Sequence, residues 1–562
     1  MKHGFLAAAA ALVLSGCSGA ETYDAIIKGG TVYDGTGSPG VVADVAIKGD
    51  RIAAVGDLGK AKAEKVIDAS GLAVAPGFIN MLSWATESLI EDGRGESDLR
   101  QGVTLEVFGE GESMGPLTDA MKEEAQKLQG DIKYPIEWTS LAEYLAFLEK
   151  KGVSPNVASY IGATTVRIHE LGYADRPPTA EELARMQELV REAMREGALG
   201  VGSSLIYAPA FYADTDELIA LTKAASESGG GYISHMRSEG DRYLEAIDEL
   251  IQIAKQAGTR AQAYHLKPAG EANWSKSADG LAKFDEARAA GVDVSADIYT
   301  YTAGATGLDA AMPPWVQEGG HDAWVARLQD PEIRARVIEE IRAPAVGWEN
   351  LYQLAGGAKN ILLIGFKSDA LKPLTGKTLE EVAAMRGVSP EDAMIDLVIE
   401  DDSRVGTAYF LMSEENIRRN IAWPMTMFGS DEGAYSPEGV FVKSNAHPRA
   451  YGNVARLFAK YVRDEKVITV EEAVRRLTSL PAEHLRLRER GELKAGNYAD
   501  VVVFDPATIQ DHATFDKPHQ LSTGVIDVFV NGVLTVENES HTGAKAGRAL
   551  HGPGWTGWEK AK

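Results

Sequence analysis

Between about Ala75 and Pro481 the sequence alternates short β-type runs with amphipathic helical stretches, and that alternation leaves few folds open. Strand candidates are Leu72–Ile79, Val103–Phe108, Val157–Gly162, Leu199–Ser203, Gly231–Ser234, Arg260–Tyr264, Val292–Ile298 and Pro424–Phe428. Stretches such as Ala180–Glu196, Asp216–Ser228 and Tyr243–Gln256 carry apolar residues at helical spacing between them. Eight such units in one run predict an α/β protein built on a TIM-type (β/α)8 barrel, 75–484. The interval 312–420 is too long for one unit and predicts an inserted subdomain before the last barrel strand, with Ile361–Phe366 as a strand inside it. Residues 23–74 and 485–550 read instead as short strands punctuated by Gly-Gly, Asp-Gly and Asn-Gly turns. Two β-rich pieces flanking one barrel predict a small β-sandwich domain assembled from both chain ends.

The amino terminus reads as a targeting segment, residues 1–17. Met1-Lys2-His3 is basic, and Phe5–Leu14 is apolar but too short to span a bilayer. Leu14-Ser15-Gly16-Cys17 resembles a bacterial lipoprotein processing box, with Cys17 as the lipid-bearing residue. Ser18 after it fits outer-membrane sorting, so the expected location is the bacterial cell envelope, lipid-anchored at the outer membrane and facing the periplasm. Cys17 is the chain's one cysteine, so packing and not disulfides must stabilise the fold. No later run is long and apolar enough to be a membrane span, so membrane contact is expected through the lipid alone. The net charge of −25 argues against nucleic acid as a partner.

Within the barrel, Gly231–Lys267 holds the densest chemistry. Two β-type runs each lead into a histidine, His235 and His265, one strand–helix–strand unit apart. Such a unit lays consecutive parallel strands side by side. Both imidazoles then sit at neighbouring carboxyl ends, where α/β barrels place their chemistry. They can share one metal ion or be two hydrogen-bonded polar residues at a barrel mouth. Asp431, in Gly429-Ser430-Asp431-Glu432-Gly433, follows the last strand; it can serve as a general base or simply as a turn residue.

Several stretches, in order along nearly all of the chain beyond Cys17, resemble the amidohydrolase superfamily, and within it the D-aminoacylase (N-acyl-D-amino-acid deacylase) branch. They include Ala75-Pro76-Gly77-Phe78-Ile79, Ile206-Tyr207-Ala208-Pro209, Ser234-His235-Met236-Arg237, Tyr264-His265-Leu266-Lys267, Gly429-Ser430-Asp431 and His447-Pro448-Arg449. The resemblance implies hydrolysis of an amide in N-acyl-D-amino acids or small D-residue-containing peptides, at one zinc ion, with Asp431 as general base and acid. A carboxylate-bearing small molecule is the implied partner. A dipeptidase, or an amidohydrolase acting on another acylated small molecule, is the alternative activity. A catalytically inactive, ligand-binding surface lipoprotein is the alternative of a different kind.

The departures are specific. The superfamily's first barrel strand normally ends His-x-His, whereas here Leu82 and Trp84 stand in those places. The branch's metal-binding cysteine is also absent; Phe108-Gly109-Glu110-Gly111-Glu112 occupies its stretch. The resemblance therefore implies metal ligands Glu110, His235 and His265, with Glu112 as the alternative to Glu110. It also implies Lys267, Arg449 and Tyr299 as the groups that hold the substrate. Ala305 replaces a pocket serine, with Thr306 adjacent. His447 is expected to make structural hydrogen bonds, His169 to lie away from the site, and Trp84 to plug the vacated metal position or line the pocket.

Overall fold

In the computed structural model, which describes residues 22–559, eight parallel strands close into a barrel. They are Phe78–Asn80, Val103–Phe108, Asn156–Ser159 continued by Ile161–Gly162, Gly200–Ser204, Gly231–His235, Ala261–Ala263, Val294–Ile298 and Thr426–Phe428. The first and last strands meet through the Met81 N–H on the Phe428 carbonyl (3.0 Å) and the Asp431 N–H on the Leu82 carbonyl (2.9 Å). The run expected as one strand, Leu72–Ile79, is two: Ala73–Pro76 joins the terminal sheet and Phe78–Asn80 the barrel. Cys17 and the rest of the amino-terminal segment lie outside the described residues. Among the described residues no helix is long and apolar enough to cross a membrane.

The barrel interior is filled by inward-facing side chains, among them Ile79, Met81, Leu105, Val107, Tyr160, Ile233, Tyr264 and Met427. Burial on both faces explains why these strands read as continuous apolar runs. The helices outside show the complementary pattern. In Tyr243–Ala257 the buried side chains are Tyr243, Ala246, Ile247, Leu250, Ile253, Ala254 and Ala257, the i, i+3, i+4, i+7 stripe of one face. Gly258, left-handed at φ +66°, ends the helix where a Cβ would be strained.

Strands from both chain ends form one nine-stranded sheet, in which Val501–Phe504 pairs with Ala73–Pro76. The sheet folds back on itself: the Ile52 N–H donates to the Asn497 carbonyl and the Ala499 N–H to that of Asp50. One of its cores joins Ile27, Val45 and Ile47 to Val501, Val503 and Phe529. The extra segment before the last strand carries a three-stranded antiparallel sheet of Gly304–Gly307, Gly406–Tyr409 and Ile361–Gly365. Its sheet begins at Gly304, earlier than the expected 312. The helix Glu414–Ala422 packs on barrel strands, and so belongs to the barrel and not to the insertion. Gly304–Gly307 was illegible as a strand because it offers only small residues.

One barrel residue makes stability depend on pH. Glu106, on the second strand, is fully buried; Asn80 Nδ2 donates to its Oε2 (2.9 Å) while Oε1 has no partner among the described residues. Burial pushes its pKa from 4.5 up to about 7, against the opposing pull of the neighbouring Ser83 and Asn80 side chains. The raised folded value means that this stability is fully present below the unfolded pKa and is lost as pH rises through the folded one. A shift of that size corresponds to about 3 kcal/mol at most. Glu106→Gln is therefore expected to melt with the wild type near pH 5 and above it near pH 8; coincident melting curves at both pH values count against the assignment.

Candidate metal centre and active site

The three groups at the centre come from three strand ends. Glu110 follows the second strand between Gly109 (φ +111°) and Gly111 (φ +75°). A Cβ at Gly109 would lie 2.6 Å from the Tyr160 carbonyl oxygen, and one at Gly111 would lie 2.5 Å from Ser204 Cβ. Only glycine lets the chain turn this tightly and aim Glu110 into the mouth. His235 ends the fifth strand, in register with Ser204 of the fourth. His265 lies just past the sixth strand with φ +33°. That backbone is held by Asp297 on the seventh strand, whose Oδ1 accepts the His265 N–H at 2.8 Å and whose Oδ2 accepts from Gln262 Nε2. Burial pushes Asp297 up to about 7, although His265 and its N–H pull the other way.

Glu110 Oε1 lies 3.3 Å from His235 Nδ1 and 2.9 Å from His265 Nε2, and the two nitrogens are 3.1 Å apart. All three residues are buried. Three donor atoms about 3 Å apart match the edges of a tetrahedron around zinc, with bonds of about 2.0–2.2 Å. Burial and Lys267 both act against a charged His265, yet Glu239 and Glu110 outweigh them and raise its pKa well above 6.5. Burial alone would raise Glu110, but the two imidazoles hold its carboxyl well below 4.5. The donor types, their burial and their mutual spacing fit a metal ion. Glu112 stands exposed at the rim, outside this group.

The remaining expected residues converge on the same cavity, of about 670 Å³. Asp431 Oδ2 pairs with Arg449 Nη1 at 2.8 Å, and Arg449 Nη2 donates to the Asp431 carbonyl at 2.6 Å. Burial raises the Asp431 pKa above 3.8 while Arg449 opposes it. The Arg449 guanidinium lies over the Tyr299 ring, 4.3 Å from its centroid. Tyr299 Oη and Arg449 Nε are buried without a hydrogen-bond partner among the described residues. Lys267 is not free: its Nζ donates to Glu239 Oε1 (2.7 Å) and to the His265 carbonyl (3.2 Å), and lies 2.9 Å from His265 Nδ1. Burial opposes the charged Lys267, but Glu239 outweighs it and the pKa rises.

Glu239, two residues past the Ser234–Arg237 stretch, carries no sign in the sequence of its role, because its partners Lys267 and His265 lie on the next strand end and are met only in space. The Trp84 indole also reaches the centre, donating from Nε1 to Glu110 Oε2 (2.9 Å) and Asp431 Oδ1 (3.2 Å). Leu82 is fully buried in the barrel core. His447 Nε2 lies 3.0 Å from the Ala303 carbonyl and its Nδ1 accepts the Arg449 N–H, which fixes the arginine's backbone. His169 pairs with Glu170 (3.0 Å) and does not line the cavity. Ala305 and Thr306 line it, and Thr306 Oγ1 accepts from Arg404 Nη2 at 3.4 Å. A larger cavity of about 1120 Å³, bounded by Arg237, Trp274 and Trp348, shares none of the converging groups.

A closed (β/α)8 barrel with a Glu–His–His set and an aspartate after its last strand defines a class of hydrolase, and comparison with known proteins agrees. The Amidohydrolase family profile matches residues 65–536. The D-aminoacylase of Alcaligenes xylosoxydans xylosoxydans is 34% identical over 535 residues, 95% of this chain and 98% of that protein. A solved D-aminoacylase structure, described in terms of a binuclear metal centre with one-metal activation and second-metal attenuation, superposes with a TM-score of 0.78 at 34% identity over 94% of this chain and 100% of that one. The N-acyl-D-glutamate deacylase of Bordetella bronchiseptica, complexed with zinc and a phosphonate mimic of the tetrahedral intermediate, gives 0.77 at 31% identity over 94% and 100%. The chain belongs to the amidohydrolase family and is a hydrolase acting on carbon–nitrogen bonds.

Proposed function

We propose that this protein hydrolyses the amide bond of N-acyl-D-amino acids or small D-residue-containing peptides at a single metal ion. One observation carries the reading: Glu110, His235 and His265 converge in the cavity that also presents Asp431 and Arg449. Glu110, His235 and His265 would hold the ion, which would polarise the scissile carbonyl and acidify a water. The substrate class comes from the relatives, which are named for D-amino-acid substrates.

Asp431 accepts the proton of the attacking water and passes it to the leaving amine. Trp84 and Arg449 each occupy one of its oxygens, but a carboxylate oxygen accepts two bonds, so Oδ1 keeps a lone pair for that proton. Arg449 and Tyr299 line the cavity, and Arg449 Nε and Tyr299 Oη, without a hydrogen-bond partner among the described residues, are the donors that a small side-chain shift would turn to a substrate carboxylate. Leaving them unbonded costs about 1–3 kcal/mol each, which a bound carboxylate recovers. Lys267 adds positive charge beside them, although a substrate must share it with Glu239. The apolar wall of Met114, Leu117, Met121, Leu128, Ile136 and Ile364 receives the acyl group or side chain.

The test is a substrate panel on zinc-loaded protein. N-acyl-D-amino acids should turn over and their L-enantiomers should not. Methyl esters of the same acids should lose about 10–100-fold in KM, because charge-assisted bonds contribute about 1.5–3 kcal/mol. Equal KM for acid and ester removes the carboxylate-holding role. Turnover of dipeptides in preference to every N-acyl-D-amino acid would make the enzyme a dipeptidase.

A further inference from the structure

We infer that Trp84 restricts this centre to one ion and holds its two acidic groups in register. The inference rests on the proposal that Glu110, His235 and His265 bind the ion. Glu110 and Asp431 each point their two oxygens at different partners. Glu110 turns Oε1 to the histidines and Oε2 to Trp84 Nε1 at 2.9 Å. Asp431 turns Oδ2 to Arg449 and Oδ1 to the same indole N–H at 3.2 Å. A single donor therefore spans a carboxylate of the ion-binding set and the carboxylate assigned as base.

Two carboxylate oxygens that converge at the barrel mouth repel unless something positive lies between them. The place is one that a second cation would take, because it offers an oxygen from each acid. A cation bound to both oxygens would sit about 2.0–2.2 Å from each, in the volume that the N–H now fills. An indole N–H is neutral and donor-only, so it meets the need for a donor without being a ligand itself. Leu82, two residues earlier, is buried and apolar and offers no ligand atom.

The position of the indole is set by barrel closure. The Trp84 N–H donates to the Glu432 carbonyl (2.9 Å), and the Ser83 N–H to that of Val107 (2.9 Å). The loop is thus pinned to the ends of both the second and the eighth strands. Held this way, Trp84 keeps Glu110 from swinging both oxygens to one ion, and keeps Asp431 beside that ion. It acts through these two residues, so it is a positioning residue.

If Trp84 were only an apolar filler of the cavity wall, phenylalanine would serve as well. The experiment compares wild type with Trp84→Phe, measuring zinc stoichiometry under excess zinc, zinc affinity by chelator competition, and kcat and KM separately. The wild type is expected to bind one ion per chain even in excess. Trp84→Phe is expected to bind its ion about 10–100-fold more weakly, the usual effect of losing a hydrogen bond to a metal ligand. Its kcat at saturating zinc should fall about 10-fold with KM changed less than about threefold. Two ions in the wild type would overturn the inference, and that measurement holds even if the variant fails to fold. Unchanged affinity in a folded Trp84→Phe would overturn it as well, while leaving the metal reading intact. A wild type that binds no ion overturns both.

Discussion

Asp431→Asn should lower kcat by about 10²–10⁴-fold, the range that a positioned general base contributes, while the protein stays folded and keeps its metal. The amide is nearly isosteric, and asparagine tolerates the left-handed backbone found here (φ +54°). Its carbonyl oxygen can still accept from Trp84 or Arg449, so the surrounding hydrogen bonds largely survive. The lost capacity is that of taking a proton from water and returning it to the amine. KM should change little, because Arg449 Nε and Tyr299 Oη remain available. The wild type should also show an acid limb in kcat. Burial raises the Asp431 pKa above 3.8, and the base works only when ionised. Activity therefore falls as pH is lowered through that raised pKa. Steady-state kinetics with parallel elemental analysis separate the two components; a kcat within threefold of wild type, with metal bound, would falsify the assignment.

The second large effect is on the metal itself. His265→Asn should leave a folded chain that binds zinc more than about 100-fold more weakly, beyond the cost of losing a supporting hydrogen bond. Asparagine suits this position because the backbone there is left-handed (φ +33°), a conformation that alanine would strain. The hydrogen bond that the residue 265 N–H donates to Asp297 Oδ1 survives, so the turn is kept. The imidazole nitrogen 2.9 Å from Glu110 Oε1 and 3.1 Å from His235 Nδ1 is lost. Plasma emission analysis of dialysed protein should then show metal near one per chain in the wild type and near none in the variant. Stoichiometric zinc at wild-type affinity would place the ion elsewhere.

Most of the architecture was legible in the chain because its causes are local. The helix Tyr243–Ala257 announces itself by the spacing of its buried face, and the barrel strands by short apolar runs. His235 and His265 were legible as a pair at neighbouring strand ends for the same reason, since each follows a short β-type run one strand–helix–strand unit from the other. Glu110 came only through the family resemblance, with Glu112 left as the alternative, because two acids in one loop cannot be told apart without the turn that aims one of them. The split of Leu72–Ile79 at Gly77 was not, because the boundary between two sheets leaves no mark in hydropathy. The Gly304 start of the insertion was hidden by side chains too small to show a period.

By itself, the sequence determined the order of the strands, the two strand-end histidines, an acid after the second strand, and an aspartate after the last. Tertiary structure alone decided how those groups meet. Glu110 and His265 are 155 positions apart, and Trp84 and Asp431 are 347 apart, yet each pair is in contact. Lys267 looked like a free cation in the chain, and folding places it on Glu239. Trp84 looked like a gap in a metal site, and barrel closure makes it a shared donor to two acids. Local patterns record which face of an element is buried; they do not record partners, because partners are set by closure of a barrel whose first and last strands meet only in space.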